Sequence, residues 1–141
     1  MLISTKGRYG LRVMVDLAQC NKEDFVSLKA ISERQEISMK YLEMIVAALN
    51  KAGLLQSQRG KDGGYRLTKA PEDYSVGEII RTTEGGLSTV SCIECGDETI
   101  CGRSEHCVTY PLWQKLDDYV NSYLNSVTLA DILVQGMAQQ L

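Results

Sequence analysis

No stretch of eighteen apolar residues occurs in this 141-residue chain, so nothing in it reads as a membrane-spanning helix. The opening MLISTKGRYG is too polar for a signal peptide, which gives a cytoplasmic expectation. Histidine is nearly missing, with His106 alone in the sequence. There is also no phosphate-binding loop and no Ser/His/Asp set, so little general acid–base chemistry is on offer and an enzyme is the weakest reading. Internal repeats and low-complexity tracts are absent too. Proline occurs only at Pro71 and Pro111. The first closes a region and the second suits the first turn of a helix.

What is present is unevenly distributed. The net charge of −3 argues against a nucleic-acid partner until the chain is divided. Residues 1–70 carry twelve Lys and Arg against seven Asp and Glu, a net +5, whereas residues 71–141 carry three against eleven, a net −8. A basic half joined to an acidic half suits a protein that holds a polyanion at one end. Cysteine is concentrated as well: Cys92, Cys95, Cys101 and Cys107 fall within sixteen residues, and Cys20 stands apart. Without a secretory signal, a metal or redox site is the better default than a disulfide framework.

Periodicity predicts a mainly helical chain. Tyr9, Val13, Leu17 and Cys20 share one stripe of a first helix over residues 7–20, on which Cys20 is expected to be a small buried hydrophobe. Ser27 is a candidate cap for LKAISERQ, and Ser38 for MKYLEMIVAALNKAG, in which Leu42, Ile45, Val46 and Leu49 face inward and Gly53 terminates the helix. LLQSQ and GYRLTK flank a loop rich in glycine and read as a β-hairpin. Ser75 and Glu78 have capping-box spacing before VGEIIRTTE. Residues 87–110 show no period. After Pro111, residues 112–127 carry an apolar stripe (Leu112, Leu116, Tyr119, Val120, Tyr123, Leu124 and Val127), and Thr128 with Asp131 is a candidate cap for a last short helix. The expected architecture is a winged helix-turn-helix domain over residues 1–86, a cysteine-bearing loop over 87–110, and a dimerisation helix plus C-terminal helix over 111–141.

Helix, short helix, turn, helix and glycine-rich hairpin is the order that a winged helix-turn-helix requires, with the start of the third helix reading base edges in the major groove. The candidate DNA contacts are therefore Ser38, Met39, Lys40, Tyr41, Glu43 and Met44 on that helix, and Arg59, Gly60 and Lys61 on the wing. Glu43 suits a cytosine amino group, and Arg59 suits a narrow minor groove. In the cysteine loop five residues separate Cys95 from Cys101 and Cys101 from Cys107, and Cys92 precedes Cys95 in a Cys-x-x-Cys pair. Thiolates select zinc, Cu(I) or an iron–sulfur cluster. One close pair and two evenly spaced singles do not name the metal, and thiol oxidation without a metal stays open.

STKGRYGLRVM, ISERQEISMKYLE, SVGEII and, most specifically, RGKDGGYRL resemble segments of the IscR-type regulators. This winged-helix family also holds a nitric-oxide sensor and cysteine-metabolism repressors. The resemblance implies a homodimeric transcription regulator, usually a repressor, that binds a palindromic operator in double-stranded DNA. It also implies that Cys95, Cys101 and Cys107 hold a 2Fe–2S or 4Fe–4S cluster, since cluster-binding members have this spacing ahead of a leucine–tryptophan helix. The fourth ligand departs from the family. One branch has a histidine where this chain has Tyr110, and another has an acidic residue where this chain has Arg8. Cys92 is the first candidate for that position and His106 the second. The alternatives are a regulator of the same fold that senses thiol oxidation or a partner protein, and a metal-binding interaction module.

Overall fold

The computed structural model describes residues 3–93 and 102–139. Among these residues are six α-helices and a two-stranded antiparallel hairpin. None of the helices is long and apolar enough to cross a membrane. In chain order they are α1 (Thr5–Ala18), α2 (Leu28–Gln35), α3 (Met39–Lys51), strands β1 (Leu55–Gln58) and β2 (Gly64–Leu67), α4 (Val76–Glu84), α5 (Tyr110–Ser126) and α6 (Leu129–Gln139).

Local chemistry sets most of the helix starts. The hydroxyls of Ser4, Ser27, Ser38 and Ser75 accept from the backbone N–H groups of Lys6, Ala30, Tyr41 and Glu78, relieving donors that have no partner inside the helix. At α6 the cap is reciprocal: Thr128 N–H donates to the Asp131 carboxylate at 2.9 Å, and Asp131 N–H donates to the Thr128 hydroxyl at 3.1 Å. The Ser75 box is only half made, because the Glu78 carboxylate faces Lys69 Nζ at 3.4 Å. The turn between α2 and α3 places Glu36 in the left-handed region at φ 54°, and the Ser32 hydroxyl donates to the Ile37 carbonyl across it at 2.6 Å.

The core is built on α1. Val13 and Met14 are fully buried against Ile31 of α2 and Leu42, Ile45 and Leu49 of α3. On its other side α1 meets α4 at very close range: a Cβ at Gly10 would lie 2.5 Å from Thr83 Cγ2. Only a glycine permits that approach. Cys20 lies just beyond the end of α1 and is half-buried, not fully buried as its stripe position implied. Burial pushes its thiol pKa up, with the charge of Arg34 opposing.

The hairpin pairs Leu55 with Leu67 and Gln58 with Gly64. It gains a third partner that periodicity did not reveal, Val26, whose N–H and carbonyl exchange bonds with Tyr65 at 2.9 and 2.8 Å. The second strand stops at Leu67, two residues short of the expected end, because a side chain takes over the next two donors. Thr68 N–H and Lys69 N–H both donate to the Tyr74 hydroxyl, at 2.8 and 3.0 Å, and that hydroxyl donates to the Leu54 carbonyl at 2.8 Å. Tyr74 is wholly buried. The chain then returns to the same place: Val76 N–H donates to the Val127 carbonyl and Leu129 N–H to the Tyr74 carbonyl, seating a fully buried Leu129 in the core and laying α6 on α1.

Replacing Tyr74 by Phe keeps the ring and removes only the hydroxyl, leaving two amides and a carbonyl at the base of the hairpin without that partner. Urea unfolding of Tyr74→Phe is expected to show a loss of about 1–3 kcal/mol. An unchanged midpoint would mean that water replaces the hydroxyl.

Candidate nucleic-acid interface and cysteine loop

The third helix is positioned from behind by a buried charge. Asp16, 4% exposed on α1, accepts from Arg34 Nε and Nη2 at 2.9 and 2.7 Å and from Gln35 Nε2 at 3.0 Å. This fork fixes the last turn of α2 against α1. Arg12 donates to the Gln35 side chain at 3.1 Å and also to its carbonyl. Arg12 lies over the Tyr9 ring, whose edge meets Tyr41 of α3 at a centroid distance of 5.6 Å. The C-terminal end of α2 is therefore secured before α3 begins.

With its inner face buried, α3 presents Met39, Lys40, Glu43, Met44 and Ala47 to solvent. Five of the nine residues expected to contact DNA line one shallow depression of about 490 Å³: Ser38, Lys40, Tyr41, Glu43 and Met44. Two of these are already engaged. The Ser38 hydroxyl caps the helix, and Tyr41 is half-buried against Tyr9. Met39 is 41% exposed at the edge of the same turn. Arg59, Gly60 and Lys61 stand exposed at the tip of the hairpin, with Gly60 at φ 109°. Lys61 belongs to a separate and wider cleft, about 800 Å³, between the wing and the start of α2, shared with Ser27, Ala30, Arg34 and Gln58. Ala30 was not singled out from the sequence, and Ser27 was read only as a helix cap. They are brought there by the Val26–Tyr65 pairing, a contact between distant segments that no local pattern announces. Arg66 braces the wing's base, stacked 4.2 Å from the Phe25 ring and donating to the Glu23 carbonyl at 3.1 Å.

Of the cysteine candidates, Cys95 and Cys101 lie outside the described residues. Cys107 is half-buried, two residues before the Thr109 that precedes α5, with its sulfur 3.2 Å from the Thr109 hydroxyl. That hydroxyl, with the Thr109 backbone N–H, holds the thiol pKa below its ordinary value. A site that favours the thiolate suits a metal or cluster ligand, which must be deprotonated. Cys92 is half-buried in a short turn at Ser91–Ile93, and His106 is exposed in another at Ser104–His106. Among the described residues no three His, Cys, Asp or Glu side chains are gathered to hold a metal ion.

Both flanks of this loop are tied down. Glu84, the last residue of α4, uses one carboxylate oxygen to accept from Ser4 N–H, the Ser4 hydroxyl and Gly7 N–H at 2.9, 2.8 and 2.9 Å. Arg81 donates to Asn121 and Asn125 of α5 at 3.1 and 2.6 Å. Asp117 of α5 accepts from Thr89 N–H at 2.7 Å.

Arg34→Met should lower stability by about 2 kcal/mol, measured by thermal unfolding. That is less than the roughly 3–5 kcal/mol of a fully buried pair, because Arg34 is 45% exposed. A variant as stable as the wild type would show that the fork is not what holds α2.

The family model described as Rrf2, iron-dependent transcriptional regulator, matches residues 3–135. The transcriptional regulator IscR of Aliivibrio salmonicida is 37% identical over the full length of this chain and 82% of its own. The solved structure of T. potens IscR is 42% identical, superposes with a TM-score of 0.79, and covers 100% of this chain and 92% of that one. The oxidised form of Staphylococcus aureus CymR is 39% identical with a TM-score of 0.73, covering 94% of this chain and 95% of that one. The chain therefore belongs to the Rrf2 family of winged-helix transcriptional regulators.

Proposed function

We propose that this regulator is a homodimer that binds a palindromic operator, usually as a repressor, and that an iron–sulfur cluster in the cysteine loop modulates its grip on DNA. The observation that carries the DNA assignment is the depression on α3, where Ser38, Lys40, Tyr41, Glu43 and Met44 meet at the exposed start of a braced helix. The cationic wing tip, Arg59 and Lys61, supplies phosphate contacts, and Gly60 lets the backbone approach closely. The distribution of charge supports the same orientation, since the net +5 half contains all nine residues.

The homodimer rests on α5. None of its seventeen residues is buried. Its polar side, with Asp117 and Asn121, faces the rest of the chain, while Leu112, Leu116, Tyr119 and Tyr123 are 42–68% exposed on a single stripe. A second copy of the stripe is the covering surface we assign, and two-fold pairing of α5 matches a two-fold operator.

Cys95, Cys101 and Cys107 would hold the cluster, with Cys92 or His106 as the fourth ligand. When bound, the cluster supplies a redox-sensitive crosslink among these thiolates. The chain's own residues transmit the consequence. The loop leaves α4 at Glu84, which caps α1, and rejoins at α5, which Arg81 and Asp117 fasten to α4 and to residue 89. A change in loop length or tension is thus felt at the start of α1 and along the dimer helix together. A coupling of about 1–3 kcal/mol, roughly 5- to 150-fold in affinity, would suffice for control.

Anaerobic reconstitution with iron and sulfide should give a visible chromophore in the wild type and none in Cys107→Ser. Titrating duplexes with the loaded and cluster-free forms should then give affinities differing at least about fivefold. In both forms binding should weaken with salt, at a log–log slope of roughly −0.9 per phosphate neutralised. Equal affinities on every duplex would remove the sensor role. A second reading, thiol oxidation without a cluster, draws on the low Cys107 pKa and on a relative solved in an oxidised form. It requires peroxide to change DNA affinity in protein that contains no iron.

For the dimer, light scattering of Leu116→Asp should report a monomer of about half the wild-type mass. A wild type that is already monomeric would overturn the assignment.

A further inference from the structure

We propose that Met44 is a base-reading residue that recognises the 5-methyl group of a thymine in the major groove. This inference rests on the DNA assignment of α3 made above. The neighbouring apolar residues of the helix, Leu42, Ile45, Val46 and Leu49, are buried, whereas Met44 is 47% exposed. It follows Lys40 by one turn and precedes Ala47 by one turn, and all three are exposed. The outer face therefore runs from a cation, past the Glu43 carboxylate, to a small apolar surface.

The composition of this face selects its partner. Lys40 and Glu43 flank Met44, so the apolar area is too small and too closely hedged by charge to seat another protein's core residues. The α5 stripe is the surface of that kind. A duplex offers a match in scale and position. Its major-groove base edges are polar except for one group, the thymine methyl. Methionine suits it, being long, unbranched and polarisable. Lys40 meets the surrounding negative potential, and Glu43 disfavours phosphate at the same place, which leaves the groove floor as the partner of Met44. Lining the depression with Lys40, Tyr41 and Glu43, Met44 adds sequence information that these polar groups do not carry.

The test uses duplexes enriched from a randomised pool by the full-length wild-type protein. Each thymine of an enriched duplex is then replaced in turn by deoxyuridine, which removes only the methyl group. The wild type should lose about fourfold in affinity at one position, the worth of one buried methyl. Met44→Ala should bind thymine and uracil equally there, and Met44→Leu should retain the discrimination. Because Met44 is exposed, both variants should unfold at the wild-type midpoint. A wild type indifferent to uracil everywhere, or a penalty that survives Met44→Ala, overturns the proposal while salt-dependent binding of the enriched duplex leaves the DNA assignment standing. Failure to enrich any duplex overturns both.

Discussion

One carboxylate oxygen governs how the two halves of this molecule meet. Glu84 Oε1 accepts three hydrogen bonds from the first turn of α1, so the last residue of α4 serves as the N-terminal cap of a helix 77–80 residues earlier. A negative charge there also complements the positive end of the α1 dipole. The arrangement requires α1 and α4 to lie unusually close, which Gly7 and Gly10 allow by presenting no side chain to Glu84 and Thr83. Farther along α1, Asp16 grips Arg34 and Gln35 and so positions α2, the brace of α3. Carboxylates at its two ends make α1 a rigid strut between the α4 exit and the α2–α3 pair.

That arrangement supplies a route by which the proposed sensor loop would influence α3. The loop begins immediately after Glu84 and ends where α5 begins, and α5 is held to α4 by side chains rather than by core packing. Arg81, Asn121, Asn125 and Asp117 form a polar seam with no fully buried apolar residue of α5 behind it. Polar seams exposed in part to water are adjustable at small cost, whereas close-packed cores tend to switch between discrete arrangements. The geometry places the adjustable contact at Thr89, three residues before Cys92, and the rigid one against the brace of α3.

How much of this was legible from sequence depended on range. Caps at Ser27, Ser38, Ser75 and Thr128 were readable because their chemistry acts within three residues, and the inner stripe of α3 was readable because burial follows its 3.6-residue period. The hairpin was readable from its glycines, but not its end, since the Tyr74 hydroxyl captures Thr68 and Lys69 from outside the strand. Val26, the third member of the wing, was not readable, because a lone bridging residue leaves no alternation to detect. Asp16 and Glu84 carry the most structural consequence and were invisible, since a carboxylate's partners tens of residues away leave no periodic trace. Of the nine expected DNA contacts, Tyr41 shows the same limit: its half-burial against Tyr9 is a tertiary fact. In the cysteine loop the spacing was plain, yet only Cys92, Cys107 and His106 fall among the described residues, and the low thiol pKa of Cys107 arises from Thr109, a neighbour that spacing rules ignore.

The stripe on residues 112–127, read from sequence as one apolar surface, is two surfaces. Val120 and Leu124 are half-buried toward the body of the chain beside Asp117 and Asn121, whereas Leu112, Leu116, Tyr119 and Tyr123 point outward. A helix with no buried residue and its larger apolar side in water is poorly stabilised by its own chain, since packing of an apolar face supplies most of a helix's stability in a protein. Association through that face would supply the missing burial, and the position of α5 would then depend on the partner as much as on α4. If two copies meet through α5, the separation of their α3 helices would depend on the seam of Arg81 and Asp117. In such a dimer a small tilt of α5 on that seam would move both α3 helices while each domain's core stayed unchanged.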